Sequence, residues 1–168
     1  YYAGTNATTM PTTPNVVPGL PAIYFNPTQM GTGSTWVSSS FGGNFALGLQ
    51  SNGTLWSWGS NTYGQLGISS SLTSSVGQTG FYNSPTPVQV GTGSGWSKIF
   101  ALGSNAYAID TGSNLYGWGY GKNYNVGDGQ NTTDVIAPKK ISPAGIWKKV
   151  AYTKLSGFTY GLTTGSTI

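Results

Sequence analysis

The sequence predicts an all-β protein of short antiparallel strands, and three observations support this prediction. Phe45, Leu47 and Leu49 alternate with small residues, as expected of a strand with one large apolar face. Asn52-Gly53 follows this run and is typical of a hairpin turn. Nearly half of the 168 residues are Gly, Ser, Thr or Asn, a composition that favours turns and short strands over helices.

The local pattern defines one hairpin in detail. Residues 44–50 are predicted as a strand, residues 51–54 as a tight turn and residues 55–59 as the returning strand. The turn is predicted to be of type I′, in which both central residues, Asn52 and Gly53, have positive φ. Leu55 and the indoles of the returning strand are then expected to cover the apolar face of the first strand.

The hairpin recurs along the chain. Trp58-Gly59 and Trp118-Gly119 are separated by 60 residues, and the same offset places residues 31–36 (GTGSTW) on residues 91–96 (GTGSGW). A four-stranded sheet in each period has the size of a propeller blade, and such sheets bury both faces only by stacking on one another. The fold class predicted is therefore all-β, with β-propeller blades.

A third copy is shorter. Residues 146–150 match residues 95–99 at an offset of 51, and in this register Ile168 falls inside a strand. The chain is therefore expected to hold about two and a half four-stranded blades of a larger propeller, which other chains or further blades complete. The predicted units are residues 31–90, 91–141 and, in part, 142–168.

Residues 1–30 lie outside the repeats. Five prolines interrupt this Thr-rich and Asn-rich segment, which is predicted to be an extended arm or a divergent strand of a preceding blade.

The repeat motifs resemble those of a known family. Residues 55–67 (LWSWGSNTYGQLG) resemble the signature of the chromosome-condensation-regulator repeat family, in which a strand is followed by Trp-Gly, Asn and Gly-Gln-Leu-Gly. Residues 85–90 (PTPVQV) and 137–141 (APKKI) resemble the Pro-rich strand that opens the next blade in that family. The second copy departs from the signature, because residues 123–125 are Asn-Tyr-Asn. The resemblance implies blades of a ring that usually has about seven.

The resemblance does not carry the family's residue roles to this chain. The best-known members are nucleotide-exchange factors for a small GTPase that also bind chromatin through charged and histidine residues on one face of the ring. This chain has no His, Arg or Glu, so none of those residues has a counterpart here.

Composition argues against several classes of function. Only 6% of residues are charged, and the first of them is Lys98. The absence of His and Cys removes the usual bases, thiolates and disulfides, so we expect no enzyme activity, no catalytic residues, no metal site and no cofactor. The absence of Arg argues against nucleic acid as a partner, and the absence of a long apolar run argues against membrane insertion.

Three sets of residues were weighed as sites. Residues 127–134 carry oxygen ligands suited to calcium, but a polar loop between strands is the preferred interpretation. The tryptophans are interpreted as packing residues, with sugar stacking as the alternative. A group of lysines is interpreted as edge residues that discourage strand pairing, with binding of an acidic surface, a nucleic acid or a glycan as the alternative. These lysines are Lys139, Lys140, Lys148, Lys149 and Lys154.

The low charge, the bias towards small polar residues, the absence of Cys and the incomplete ring predict a non-enzymatic structural or adhesive component of an extracellular assembly. The expected assembly is a virion, in which the chain would be a phage capsid-decorating, tail or fibre protein. The predicted location is extracellular or on the virion surface, and the predicted partners are further blades, other chains, or a host-surface glycan or protein. The alternative is a propeller module that binds proteins, or carbohydrates through Tyr63, Tyr82, Tyr120 and Tyr124.

Overall fold

The computed structural model describes residues 35–69, 83–130, 133–141, 147–152 and 159–163. They form two four-stranded antiparallel sheets and one two-stranded sheet, which confirms the all-β prediction and fits part of a propeller. Within these ranges no helix has the length and apolar character needed to cross a membrane. The predicted arm, residues 1–30, lies outside the described residues.

The strands follow chain order within each sheet. Sheet 1 contains β1 (Trp36–Phe41), β2 (Phe45–Gln50), β3 (Thr54–Gly59) and β4 (Ser84–Ser94). Sheet 2 contains β5 (Trp96–Leu102), β6 (Asn105–Asp110), β7 (Leu115–Gly119) and β8 (Val135–Lys140). Sheet 3 contains β9 (Trp147–Tyr152) and β10 (Thr159–Thr163).

The sheets stack through two apolar clusters. The first joins sheets 1 and 2 and includes Leu47, Leu66, Val90 and Trp118, all of which are fully buried. The second joins sheets 2 and 3 and includes Tyr107, Ile109, Leu115, Ile141 and Val150. Burial of both faces of sheet 2 explains why its central strand β6 is apolar along almost its whole length.

The first strands of the three sheets lie side by side. Ala101 N on β5 donates to Ser40 Oγ on β1 at 2.8 Å, and Lys98 Nζ on β5 donates to Lys148 O on β9 at 3.1 Å. In a propeller, the strands that converge are those nearest the axis. We therefore call β1, β5 and β9 the inner edge of the stack, and β4 and β8 its outer edge.

The signature after β3 forms a polar loop that is bonded to the next sheet. Asn61 Oδ1 accepts from Leu66 N at 3.0 Å, which folds the loop back and buries the Leu66 side chain. Trp118 Nε1, on β7 of the next sheet, donates to Gln65 O at 2.9 Å. One repeat thus supplies the loop, and the following repeat supplies the indole that binds it.

The Pro-rich segments differ from their predicted role. Residues 85–90 were expected to open the next blade, but they belong to β4, which pairs with β3 and closes sheet 1. Residues 137–141 fall largely within β8, which closes sheet 2 in the same way. Proline lacks the N–H that a central strand needs, and an edge strand tolerates this because only one of its sides is paired.

The β2–β3 turn is also not of the predicted type. Gly53 has a φ of +79°, but Asn52 does not have positive φ, so the turn is not type I′. Gly53 N donates to Gln50 O at 2.9 Å, and Asn52 Oδ1 accepts from Thr54 N at 3.0 Å. A turn of this kind needs only one residue with positive φ, here Gly53. The Asn52 side chain stabilises the turn by accepting a hydrogen bond from the Thr54 backbone.

In the second hairpin Ser113 takes the place of Gly53, with a φ of +61°. We expect Ser113→Gly to raise the free energy of unfolding by about 0.5–1 kcal/mol, because glycine adopts this conformation without steric cost. Urea denaturation followed by tryptophan fluorescence measures the change. Ser39→Gly, at an exposed strand position of ordinary φ, should lower stability, and a gain of equal size there would contradict the explanation.

Candidate functional site

Three exposed lysines lie together on the inner edge. Lys98 is on β5, and Lys148 and Lys149 are on β9 of the neighbouring sheet. The hydrogen bond from Lys98 Nζ to Lys148 O joins the two strands. We call Lys98, Lys148 and Lys149 the inner lysine cluster.

A β-bulge accompanies each inner strand. The register shifts between Trp36 and Ser38 on β1, and between Trp96 and Lys98 on β5. Opposite Trp147 on β9, it shifts between Leu162 and Thr163. A bulge twists an edge strand and re-aims its side chains. The bulge of β5 therefore lies directly before Lys98, and the bulge of β9 lies at Lys148.

No carboxylate forms a salt bridge with this cluster within the described residues, although Asp110 lies on the neighbouring strand β6, next to the residue paired with Lys98. Among the described residues, the salt bridge joins Lys139 Nζ and Asp128 Oδ2 at 2.8 Å, on the outer side of sheet 2. Asp134 Oδ1 instead accepts from the backbone N–H of Gly121 at 2.9 Å. Three ammonium groups on one edge attract an anionic partner, and exposed ammonium groups lose little solvation on binding.

The structure divides the lysines that the sequence grouped together. Lys139 and Lys140 lie on the outer strand β8, whereas Lys148 and Lys149 lie on the inner edge. All four are exposed, and in the described part of the chain β8 and β9 are edge strands. This agrees with the interpretation of the lysines as edge residues that discourage strand pairing. Lys154 lies outside the described residues.

Lys98 was missed as a member of the cluster. The signal was present, because the offset of 51 that aligns Trp96 with Trp147 also aligns Lys98 with Lys149. The repeat register, applied to charge as well as to aromatic residues, identifies the pair.

The carboxylates of the candidate calcium loop bind protein groups. Asp128 accepts from Lys139 Nζ and, at 3.0 Å, from Gln130 N. Burial would raise the pKa of Asp128, but these hydrogen bonds and the charge of Lys139 outweigh burial, so its pKa lies below the ordinary 3.8. Within the described residues, no group of three Asp, Glu, His or Cys side chains comes together, and residues 131–132 of the loop lie outside them.

The aromatic residues are mostly engaged in packing. Trp118 is fully buried, and the Trp36 ring lies 6.2 Å from that of Trp56. Of the tyrosines proposed for carbohydrate binding, Tyr63 and Tyr120 pack edge to face at 4.9 Å. Tyr124 is 61% exposed, and Tyr82 lies outside the described residues. Carbohydrate binding by these residues stays a prediction.

Comparison with protein families matches two overlapping parts of the chain. Residues 52–107 and residues 36–65 each match a profile of the regulator of chromosome condensation (RCC1) repeat. The matched residues run from β1 into β6 and include the loop that Trp118 binds. The expected resemblance to this repeat family is confirmed.

Similar proteins share the fold over most of this chain. The ultraviolet-B receptor UVR8 of Arabidopsis thaliana is 28% identical over 131 residues, which cover 71% of this chain and 28% of the receptor. Yeast RCC1 (Prp20), solved with Kap60 bound, superposes with a TM-score of 0.70 at 20% identity, covering 86% of this chain and 34% of that one. Human WBSCR16 gives a TM-score of 0.59 at 24% identity, covering 73% of this chain and 29% of its own. The chain thus spans about a third or less of each of these proteins.

The predicted location, extracellular or on a virion surface, is wrong. The similar proteins are a plant ultraviolet-B receptor, a Saccharomyces cerevisiae protein whose binding to Gsp1p and histones has been described, and human WBSCR16, and they point to the interior of the cell. They likewise give no support to a role in a virion. The Gly, Ser, Thr and Asn content that contributed to that prediction is also typical of the turns between strands, as at Gly53.

Proposed function

Because this chain carries repeats of the regulator of chromosome condensation family, we propose that it is a non-enzymatic protein-interaction module that binds an acidic protein segment at the inner lysine cluster. The observation that supports the proposal most directly is the placement of Lys98, Lys148 and Lys149 on adjoining strands, without a carboxylate partner in the described part of the chain. Proteins with similar folds bind other proteins: Prp20p binds Gsp1p and histones, and Kap60 binds Prp20.

The geometry of the edge favours an acidic polypeptide as ligand. β5 and β9 are each paired in a sheet on one side only within the described residues, so the exposed ammonium groups of this edge can reach a partner. Lysine acts as a point charge with a flexible stem, whereas specific reading of bases and phosphates is usually carried by Arg, which this chain lacks. A run of Asp or Glu in a partner protein therefore matches the cluster in charge.

Neutralising the cluster should weaken binding of a fluorescein-labelled Glu-rich peptide, measured by fluorescence anisotropy at low salt. We expect the double variant Lys148→Gln/Lys149→Gln to bind about tenfold more weakly than the unchanged chain, equivalent to about 1.4 kcal/mol. The matched control is Lys122→Gln/Lys140→Gln, which removes the same charge from exposed positions away from the inner edge and should change the affinity less than twofold.

Equal weakening in the two double variants would show that only net charge matters, and would contradict a site at the inner edge. Tighter binding of a DNA duplex than of the Glu-rich peptide at equal salt would overturn the choice of a protein partner. If the lysines act only as edge protection, the variants will self-associate in sedimentation experiments while their peptide affinity is unchanged.

A further inference from the structure

A groove of about 420 Å³ lies where sheet 1 meets sheet 2, and none of the inner lysines lines it. The end of β4 forms one wall, and the starts of β5 and β7 with Pro138 of β8 form the other. The side chains that give it chemical character are Trp96, Asp110 and Tyr116. It combines two aromatic rings with one carboxylate.

The two rings form an edge-to-face pair. Trp96 and Tyr116 have ring centroids 5.0 Å apart and an interplanar angle of 81°. Both are half-buried, so part of each ring faces the groove. Aromatic rings in this arrangement offer negative faces to a cation.

Sheet 2 differs from the other two sheets in the residue that lies opposite the indole. In sheets 1 and 3 the corresponding indoles lie on glycine, and a Cβ at Gly48 or Gly161 would be 2.5 or 2.3 Å from the ring of Trp36 or Trp147. Sheet 2 has Ala108 at this position, so its methyl group excludes the same placement for the indole. Trp96 packs edge to face on Tyr116 at 5.0 Å, closer than the equivalent pair of sheet 1, Trp36 and Trp56, at 6.2 Å.

Asp110 places a negative charge beside these rings. Its Oδ1 accepts from Asn114 N at 2.8 Å, and its Oδ2 accepts from Asn114 Nδ2 at 2.9 Å and from Tyr116 Oη at 3.3 Å. Burial would raise the pKa of Asp110, but the hydrogen bonds from Asn114 and Tyr116 outweigh burial and lower it, so the carboxylate is ionised at neutral pH. Within the described residues no lysine forms an ion pair with it.

Glycine keeps the groove open along β4. A Cβ built on Gly91 or Gly93 would meet no atom of the described residues within 4 Å, so none of these residues fills the space above this strand. Gly93 does not have positive φ, and a larger residue fits its backbone without strain.

We propose that the groove binds the guanidinium group of an arginine side chain from a polypeptide partner. A planar cation can stack on the Trp96 or Tyr116 ring while its N–H groups donate to the Asp110 carboxylate, and arginine combines these two abilities. The inference rests on the proposed function in taking a polypeptide as ligand, but it uses different residues and the opposite charge.

The test uses the full chain labelled with 15N and the peptide acetyl-Gly-Arg-Gly-amide, followed through the indole Nε1–H resonances. We expect the resonance assigned to Trp96 by Trp96→Phe to shift on titration, with a dissociation constant in the millimolar range, while those of Trp36 and Trp147 stay fixed. The same peptide with citrulline, which keeps the shape and loses the charge, should produce at least tenfold smaller shifts at equal concentration.

Two variants locate the site. Asp110→Asn removes the charge, and Gly93→Leu fills the space, and each should abolish the shift while the remaining spectrum shows a folded protein. Equal shifts with citrulline, or an unchanged response in both variants, would overturn the proposal. These outcomes are separate from a failure of the inner lysine cluster, because the Glu-rich peptide and the arginine peptide are titrated independently.

Discussion

Trp118→Ala should lower the free energy of unfolding by about 3–5 kcal/mol, the range observed for large aromatic residues removed from a core. Trp118 is fully buried, and it packs in the cluster between sheets 1 and 2. Its loss also leaves Gln65 O without the donor that lies 2.9 Å away. Since small domains are stable by only about 5–15 kcal/mol, this variant is expected to be partly unfolded at 37 °C.

Urea denaturation at 15 °C measures the loss of stability. The variant Trp118→Phe separates the contribution of apolar packing from that of the hydrogen bond to Gln65 O. Phenylalanine retains most of the apolar volume but has no N–H, so we expect a smaller cost of about 1–3 kcal/mol for the unsatisfied carbonyl and residual cavity. Trp58→Ala is the matched control, because Trp58 is the equivalent residue of the first repeat and is only half-buried. A larger loss at Trp58 than at Trp118 would contradict the proposed linkage between sheets.

Gly119→Ala should lower stability by about 2–4 kcal/mol, because two effects add at this position. Gly119 has a φ of +110°, which side chains disfavour by about 1–2 kcal/mol. A Cβ would also lie 2.4 Å from Ser104 O and 3.0 Å from Asn105 Cα, and these backbone atoms move only if the β5–β6 turn moves. Gly59 has the same surroundings in sheet 1, with a φ of +103° and Asn44 O 2.6 Å away. The Trp-Gly pair of the signature thus has a steric cause.

Thermal unfolding followed by circular dichroism compares Gly119→Ala with two other substitutions. At Gly129, φ is +78° but no atom lies within 4 Å of a Cβ, so Gly129→Ala measures conformational strain alone. At Gly93 neither effect is present, and Gly93→Ala should be close to neutral. If Gly129→Ala lowered stability as much as Gly119→Ala, the contact with Ser104 O would not explain why both repeats have glycine at this position.

The sequence was sufficient to predict the strands that carry a strong pattern. Phe45, Leu47 and Leu49 alternate over β2, and Trp58-Gly59 ends β3, so this hairpin was located within a residue or two. Its turn type was not predictable from Asn52-Gly53 alone, because the Asn52 side chain offers the backbone an alternative hydrogen bond. The family resemblance of residues 85–90 suggested the opening strand of the next blade, but they pair with β3, and a Pro-rich edge strand does not itself indicate which neighbouring strand it pairs with.

The two candidate binding surfaces were harder to predict. The inner lysine cluster joins Lys98 to Lys148 across 50 residues, and this proximity depends on how successive sheets stack. The groove is lined by residues from both sheets, and its pairing of Trp96 with Tyr116 beside Asp110 depends on how the strands pack. Composition alone led to a wrong location, because a low content of charge reflects the turns and packed faces of blades as well as the environment of the protein.

The proposal that the inner edge binds an acidic polypeptide is tested most directly by titrating the 15N-labelled chain with the Glu-rich peptide and mapping the backbone amide shifts. We expect the largest shifts at Lys98, Lys148 and Lys149, on strands β5 and β9, and reversal of these shifts by added salt. Shifts that centre instead on Lys122 and Lys140, or that spread evenly over all the exposed lysines, would contradict the account.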